Sequence, residues 1–284
     1  LDRYKFKIAG GGAATITQSS TTPDDFSYSY KVDITTADTS VANTDHGIIM
    51  HMVEGYNFAQ ANFGSSAAKT CTLSFYVRSN KTGTYGVAFQ NAAQNRSLIK
   101  EYTINSADTW ERKTITVSPD TGGSWNTTNG IGLKLTWGLM GGSTYATSDI
   151  GNYKSSNLFL TSNQVNLFDN TSNEWYITGI QLEIDNTGSG KPTDFEHRSL
   201  AQEALLCKRY YQQIVGNSDL VMFGSGRASG TDAALVATQL AVPLRASPTI
   251  ATVSYSAWGV GGSKSVSNGS PTVQSFNATD NQLN

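Results

Sequence analysis

Apolar and polar residues alternate with a period of two along much of the chain up to residue 184. That is the period of strands with one buried and one wet face. Phe26-Ser27-Tyr28-Ser29-Tyr30-Lys31-Val32-Asp33-Ile34 alternates throughout, and 48–53 is a second candidate. In Thr70-Cys71-Thr72-Leu73-Ser74-Phe75-Tyr76-Val77-Arg78 the apolar residues Cys71, Leu73, Phe75 and Val77 share one face. Segment 84–90 follows across Lys81-Thr82-Gly83, which predicts a hairpin. Segments 98–104, 113–117, 132–139 and 175–184 complete the set. Turns rich in Gly, Asn, Ser and Asp join these strands, and no long amphipathic helix separates them. The prediction is an all-β jelly roll or β-sandwich over 1–190.

The period changes once. Residues 199–214 lack Gly and Pro, and Leu200, Ala204, Cys207, Tyr211 and Ile214 recur at helical spacing. This predicts a short helical connector over 191–215, with Lys191-Pro192 as the break before it. The stripe suits either packing on the chain's own sandwich or a seam between identical chains. Beyond Gly216 the pattern returns to β, with strands expected at 235–244 and 248–255 in a small domain over 216–284. Leu1-Asp2-Arg3 reads as a mid-chain start, so the sequence is expected to be part of something longer.

Only 15% of residues are charged, so Ser, Thr, Asn, Gln and Gly must supply the polar surface, as in many secreted and virion β-proteins. The formal net charge is −2, without the basic stripe a nucleic-acid binder needs. No apolar run approaches the roughly 20 residues that span a bilayer. Cys71 and Cys207 are too few for a disulfide framework and read as buried small hydrophobes.

Chemistry-bearing motifs are sparse. His46 and His51 are five apart, on opposite faces of a strand, and no ligand set accompanies them, so no metal site is expected. No cofactor is implied, although a structural cation in the jelly roll is conceivable. Nucleophile elbows, phosphate loops and dinucleotide fingerprints are missing from the sequence. A glycan depolymerase would need two carboxylates facing across a cleft. Asp24, Asp25, Glu54, Asp149, Asp169 and Glu174 supply candidates that the sequence does not pair, so the expectation is a non-catalytic module.

Aromatics in polar loops are the better lead, because Trp and Tyr faces stack on pyranose rings while Asn and Asp orient them. Trp125, Asn126 and Asn129 in loop 118–130, with Tyr145, Asp149, Asn152 and Tyr153 in segment 141–165, form the candidate glycan-binding set. The same aromatics would also serve as caps on the sandwich ends. Trp110, Trp137 and Trp175 lie in or beside strands and are expected in or near the core.

Three segments form an ordered series: Thr70 to Ser79, Trp110 to Thr116, and Trp175-Tyr176-Ile177-Thr178-Gly179-Ile180-Gln181-Leu182-Glu183. It resembles jelly rolls of the carbohydrate-binding-module type. The continuation Pro192-Thr193-Asp194-Phe195-Glu196-His197-Arg198, then Leu205-Leu206-Cys207-Lys208-Arg209-Tyr210-Tyr211, then Pro243-Leu244-Arg245-Ala246-Ser247-Pro248-Thr249, resembles phage and prophage tail-fibre or virion-associated proteins. The resemblance implies a virion structural protein, homotrimeric as phage fibres usually are, that contacts other virion proteins. With the loop aromatics, the expectation is a tail-fibre receptor-binding module that recognises host surface polysaccharide. A capsid decoration or head-fibre protein is the structural alternative. In either case Phe195 is expected to anchor the returning chain against the sandwich.

Overall fold

The computed structural model describes residues 4–212, 225–228, 234–237, 240–246, 255–259 and 262–266. The chain divides into two compact units that meet in sequence at His197 and Arg198, inside the expected connector.

The first unit is a β-sandwich of two five-stranded antiparallel sheets. Its strands are β1 (Tyr4–Ala9), β2 (Ala13–Ser19), β3 (Ser29–Thr36), β4 (His46–Glu54), β5 (Cys71–Ser79) and β6 (Gly83–Gln90). They continue with β7 (Ser97–Ile104), β8 (Glu111–Val117), β9 (Ile131–Gly141), the short β10 (Ala146–Thr147) and β11 (Leu160–Thr161), and β12 (Glu174–Ile184). The first sheet runs β1-β4-β9-β6-β7 and the second β2-β3-β12-β5-β8. One short helix, α1 (Gly55–Phe58), follows β4.

Alternation explains the core. Cys71, Leu73, Phe75 and Val77 of β5 are all buried, as their shared face requires. They meet Tyr85, Val87, Phe89, Leu133, Leu135 and Trp137 from the first sheet. Each such side chain contributes roughly 1.5–3 kcal/mol on burial. Trp137 and Trp175 have no exposed surface, and Trp110 is half-buried. Burial pushes the Cys71 thiol up to about 12, which makes it inert packing.

β12 keeps its apolar face inward through a register shift between Thr178 and Gln181. Trp175 and Ile177 face the core before it, and Ile180, Leu182 and Ile184 after it. The extra residue needs Gly179, whose φ is +59° and whose Cβ would lie 2.7 Å from the Phe26 ring.

In the two five-stranded sheets, two strands were not predicted from the sequence. β1 and β2 flank Gly10-Gly11-Gly12, and β1 alternates as cleanly as the others: Tyr4, Phe6 and Ile8 pack against the core while Lys5 and Lys7 are exposed.

In the second unit the helix is shorter than 199–214. α2 (Leu200–Lys208) starts at a capping box, with Ser199 Oγ accepting from Gln202 N and Gln202 Oε1 accepting from Ser199 N at 3.0 Å. It ends before Tyr211, and Ile214 lies outside the described residues. Cys207 is half-exposed rather than buried, because α2 buries none of its residues. The β13–β14 (Ser225–Ala228, Ala234–Ala237) and β15–β16 (Tyr255–Gly259, Gly262–Val266) hairpins follow. Of the strand expected over 235–244, residues up to Ala237 are strand and 240–244 are not, and of 248–255 only Tyr255 is described.

Candidate functional site

Segment 142–165 is not a free loop. It crosses the outward face of the first sheet, where Phe159 and Leu160 pack on Ile48, Ala88 and Ile99. Glycines make the seat: a Cβ on Gly138 would lie 2.7 Å from Leu160 Cδ2, and one on Gly141 closer still. The segment is pinned to the β7 edge, Ser97 and Lys154 exchanging backbone hydrogen bonds at 2.9 and 2.8 Å. Gln90 Nε2 donates to Asn157 Oδ1 at 2.9 Å.

The cover is partial, and the sheet register shows what stays open. One row across the sheet reads Lys5, Met50, Thr136, Ala88, Ile99. The next reads Lys7, Ile48, Gly138, Gly86, Glu101. A third reads Met52, Lys134, Gln90, Ser97. Toward β6 and β7 the segment buries these rows. Toward β1 and β4, Met50, Met52 and Lys134 are partly exposed and Lys5 and Lys7 fully so. Ile48, under Phe159 and Leu160, is 3% exposed, so the strip left open on β4 is floored by Met50 and Met52, about 7 Å apart at ~3.4 Å per residue.

An aromatic group closes one end of the strip. Tyr145 stacks on Phe159 with centroids 4.6 Å apart, and His46 meets both rings edge-on at 5.4 Å. Tyr145, half-exposed, is the member of the predicted glycan set that lies on this face.

The remaining predicted residues are dispersed. Trp125 is a correction: it is 8% exposed and packs edge-on against Phe63 at 5.1 Å. Its indole N–H donates to Asp120 Oδ2 at 3.0 Å. The apolar partners Phe58 and Phe63 arrive from the short helical stretch after β4, which the sequence did not link to this loop. Tyr153 is also tied into the framework, its hydroxyl donating to the Ser118 carbonyl at 2.8 Å and its ring lying under Arg96. Burial raises its phenol far above the usual range. Asn126 and Asn129 are exposed on the turn that clasps α1, beside exposed Tyr56, whose N–H bonds the Thr128 carbonyl at 2.9 Å. Asp149 takes a hydrogen bond from Asn152 at 2.5 Å and an ion pair from Lys154. These contacts hold its carboxyl below the usual range.

The outward face of the second sheet is occupied by the returning chain. Phe195 meets Phe26 at 5.0 Å, as expected of an anchor. Arg112 Nη2 donates to the Thr193 carbonyl at 2.6 Å, Thr193 N to Glu183 Oε1 at 2.7 Å, and Glu196 N to Gln181 Oε1 at 2.9 Å. Elsewhere on that face Lys31 pairs with Glu174 at 2.5 Å and Tyr176 donates to the same carboxylate.

Of the acids weighed for catalysis, Asp149, Asp169 and Glu174 each hold a lysine, and Glu54 is buried. Among the described residues no group of His, Cys, Asp and Glu is arranged to hold a metal, and no helix is long and apolar enough to cross a membrane.

The residues missed by sequence reasoning are Lys5, Lys7, Met50, Met52 and Lys134. Their signal was alternation, since each is a position opposite an inward-facing neighbour.

No family model and no curated protein matches the chain. Among solved structures it is similar to the enzymatically active domain of tailspike protein 4 from bacteriophage CBA120, at 11% identity and a TM-score of 0.37. That match covers 64% of this chain and 19% of the tailspike domain, so this chain spans about a fifth of that structure. It is also similar to a family 4 carbohydrate-binding module (12% identity, TM-score 0.37, 65% of this chain and 88% of that one). A third likeness is to a family 11 carbohydrate-binding module from Clostridium thermocellum in complex with a β-1,3-1,4-mixed-linked tetrasaccharide (10% identity, TM-score 0.34, 65% and 89%).

Proposed function

We propose that the sandwich is a non-catalytic glycan-binding module of a phage tail fibre, attached to a helix that meets identical helices at a trimer axis. The observation that carries the glycan reading is the open strip along β4. It joins an aromatic end at Tyr145 to an apolar floor of Met50 and Met52. The amides of Asn157 and Gln94, held together at 3.3 Å, lie on the docked segment's side. Sugar rings offer apolar C–H faces and hydroxyl edges, and a surface of this mixed character suits them. The sequence resemblance to tail-fibre proteins supports the virion as its location.

The trimer reading rests on α2. Leu200 is 86% exposed, Leu205 50%, Leu206 39% and, beyond the helix, Tyr211 60%. Ala204 is exposed on the same stripe and Cys207 half-exposed. A capped helix that presents leucines to solvent suits burial against copies of itself.

Binding of the full chain to host cells tests the first part. Tyr145→Ala and Met52→Ala are expected to weaken it while the fold persists, and unchanged binding in both removes the strip from the site. Light scattering tests the second part, a monomeric mass being the result against it.

A further inference from the structure

The charge on the β4 strip is opposite in sign to that of the chain. Formal net charge is −2, yet the strip is bordered by Lys5 and Lys7 on one side and Lys134 on the other. None of the three forms an ion pair among the described residues. Lys134 Nζ donates instead to the Ala92 carbonyl at 3.1 Å. Carboxylates that might neutralise them are turned to other work. Glu101, at the far edge of the row that holds Lys7, takes hydrogen bonds from Thr161 and Asn163, and Glu54 at the end of β4 is only 3% exposed. Burial lowers the Lys134 pKa, and the Lys7 ammonium lowers it further. Uncompensated cations of this kind are relieved by an anion.

The spacing restricts what that anion is. Lys5 and Lys134 stand two strands apart, about 10 Å, and the rows of Lys7 and Lys134 are separated by about 14 Å along the strand. A single phosphate cannot reach all three, whereas a polymer with recurring charges can. Met50 and Met52 between them offer polarizable apolar surface for ring faces. Nucleic acid is the weaker fit, because three cations neutralise few phosphates and no basic stripe extends them.

We infer that the ligand of this face is an anionic polysaccharide, bearing uronate, phosphate or sulfate at recurring positions, held by Lys5, Lys7 and Lys134 over Met50 and Met52. This inference rests on the glycan reading above.

The test offers the full chain immobilised polygalacturonate, its fully methyl-esterified form, alginate, heparin, dextran, xylan and oligo-dT. Retention is expected on at least one charged polysaccharide and to weaken about tenfold as NaCl rises from roughly 0.05 to 0.5 M. It should weaken at least about tenfold in the triple variant Lys5→Gln, Lys7→Gln, Lys134→Gln, with circular dichroism and melting unchanged, since these lysines hold no salt bridge among the described residues. Retention of neutral glycans alone, undiminished in the triple variant, overturns the anionic ligand and leaves the glycan reading standing. Retention of no glycan, or of oligo-dT alone, overturns both.

Discussion

Arg96 and Asp120 form a two-pronged ion pair, with guanidinium Nε and Nη2 donating to the two carboxylate oxygens at 2.8 and 2.5 Å. The Asp120 side chain is 1% exposed, and Trp125 and the Gly122 N–H donate to the same carboxylate. This pair locks loop 118–130 onto the hairpin between β6 and β7. It makes Trp125 part of the framework, while Asn126 and Asn129 are among the loop's exposed residues.

Removing one partner of a buried pair leaves the other charge without compensation, at a cost of about 3–5 kcal/mol. Arg96→Ala, which strands the buried Asp120 carboxylate, is expected to show a loss of that order in urea unfolding. Trp125→Ala should lose about 3 kcal/mol, with host-cell binding by the folded fraction retained. A Trp125→Ala protein that melts normally but no longer binds would return this indole to the site.

The docked segment depends on small residues in β9. Gly138→Val places side-chain atoms where Leu160 and Gln164 now sit, so it is expected to lift 142–165 from the sheet. Proteolysis within that segment should rise sharply, while the core strands stay protected. Equal protease resistance in the variant and the parent would contradict the packing described.

Glu111 gives the sandwich an acid-sensitive joint. Burial acts to raise its carboxyl, but hydrogen bonds from Lys113, Ser106 N and Asn105 outweigh this and bring it down to about 2 from an ordinary value of 4.5. A folded pKa below the unfolded one gives stability that is fully present above pH 4.5 and is lost as pH falls toward 2. Glu111→Gln should therefore flatten the fall of melting temperature over that window. A parallel fall in both proteins would remove Glu111 as its cause.

Phe195 fixes the chain as it leaves the sandwich, and the backbone around it is held largely by side chains of the second sheet. Phe195→Ala is expected to increase hydrogen exchange at 193–196 with little change in β5 or β12. No local change would mean that the hydrogen bonds from Arg112 and Gln181 suffice.

Much of the sandwich was legible because one-sided burial writes itself as alternation. Cys71 to Val77 and Trp175 to Ile184 were found this way, the second despite its register shift. β1 was equally legible in Tyr4, Phe6 and Ile8, whereas β2 offers only Ala14 and Ile16 as inward residues. The site was less accessible. Whether a loop Trp is presented or swallowed depends on distant partners, here Phe58, Phe63 and Asp120. Likewise, the docking of 142–165 depends on the absence of side chains at Gly138 and Gly141, and a glycine in sequence does not show which residue will fill its space. The helix fell short of 199–214 because periodicity alone marks no end, and Tyr211 keeps the spacing after the helix has stopped.

The proposed ligand surface is the outward side of β4. Two blocking substitutions test it most directly in one titration against host surface polysaccharide: Met52→Trp on the open strip, and Thr114→Trp on the outward, exposed side of β8 in the other sheet. Met52→Trp is expected to abolish binding and Thr114→Trp to leave it intact. Full binding by Met52→Trp, with loss in Thr114→Trp, would place the ligand on the opposite sheet and contradict the proposed surface.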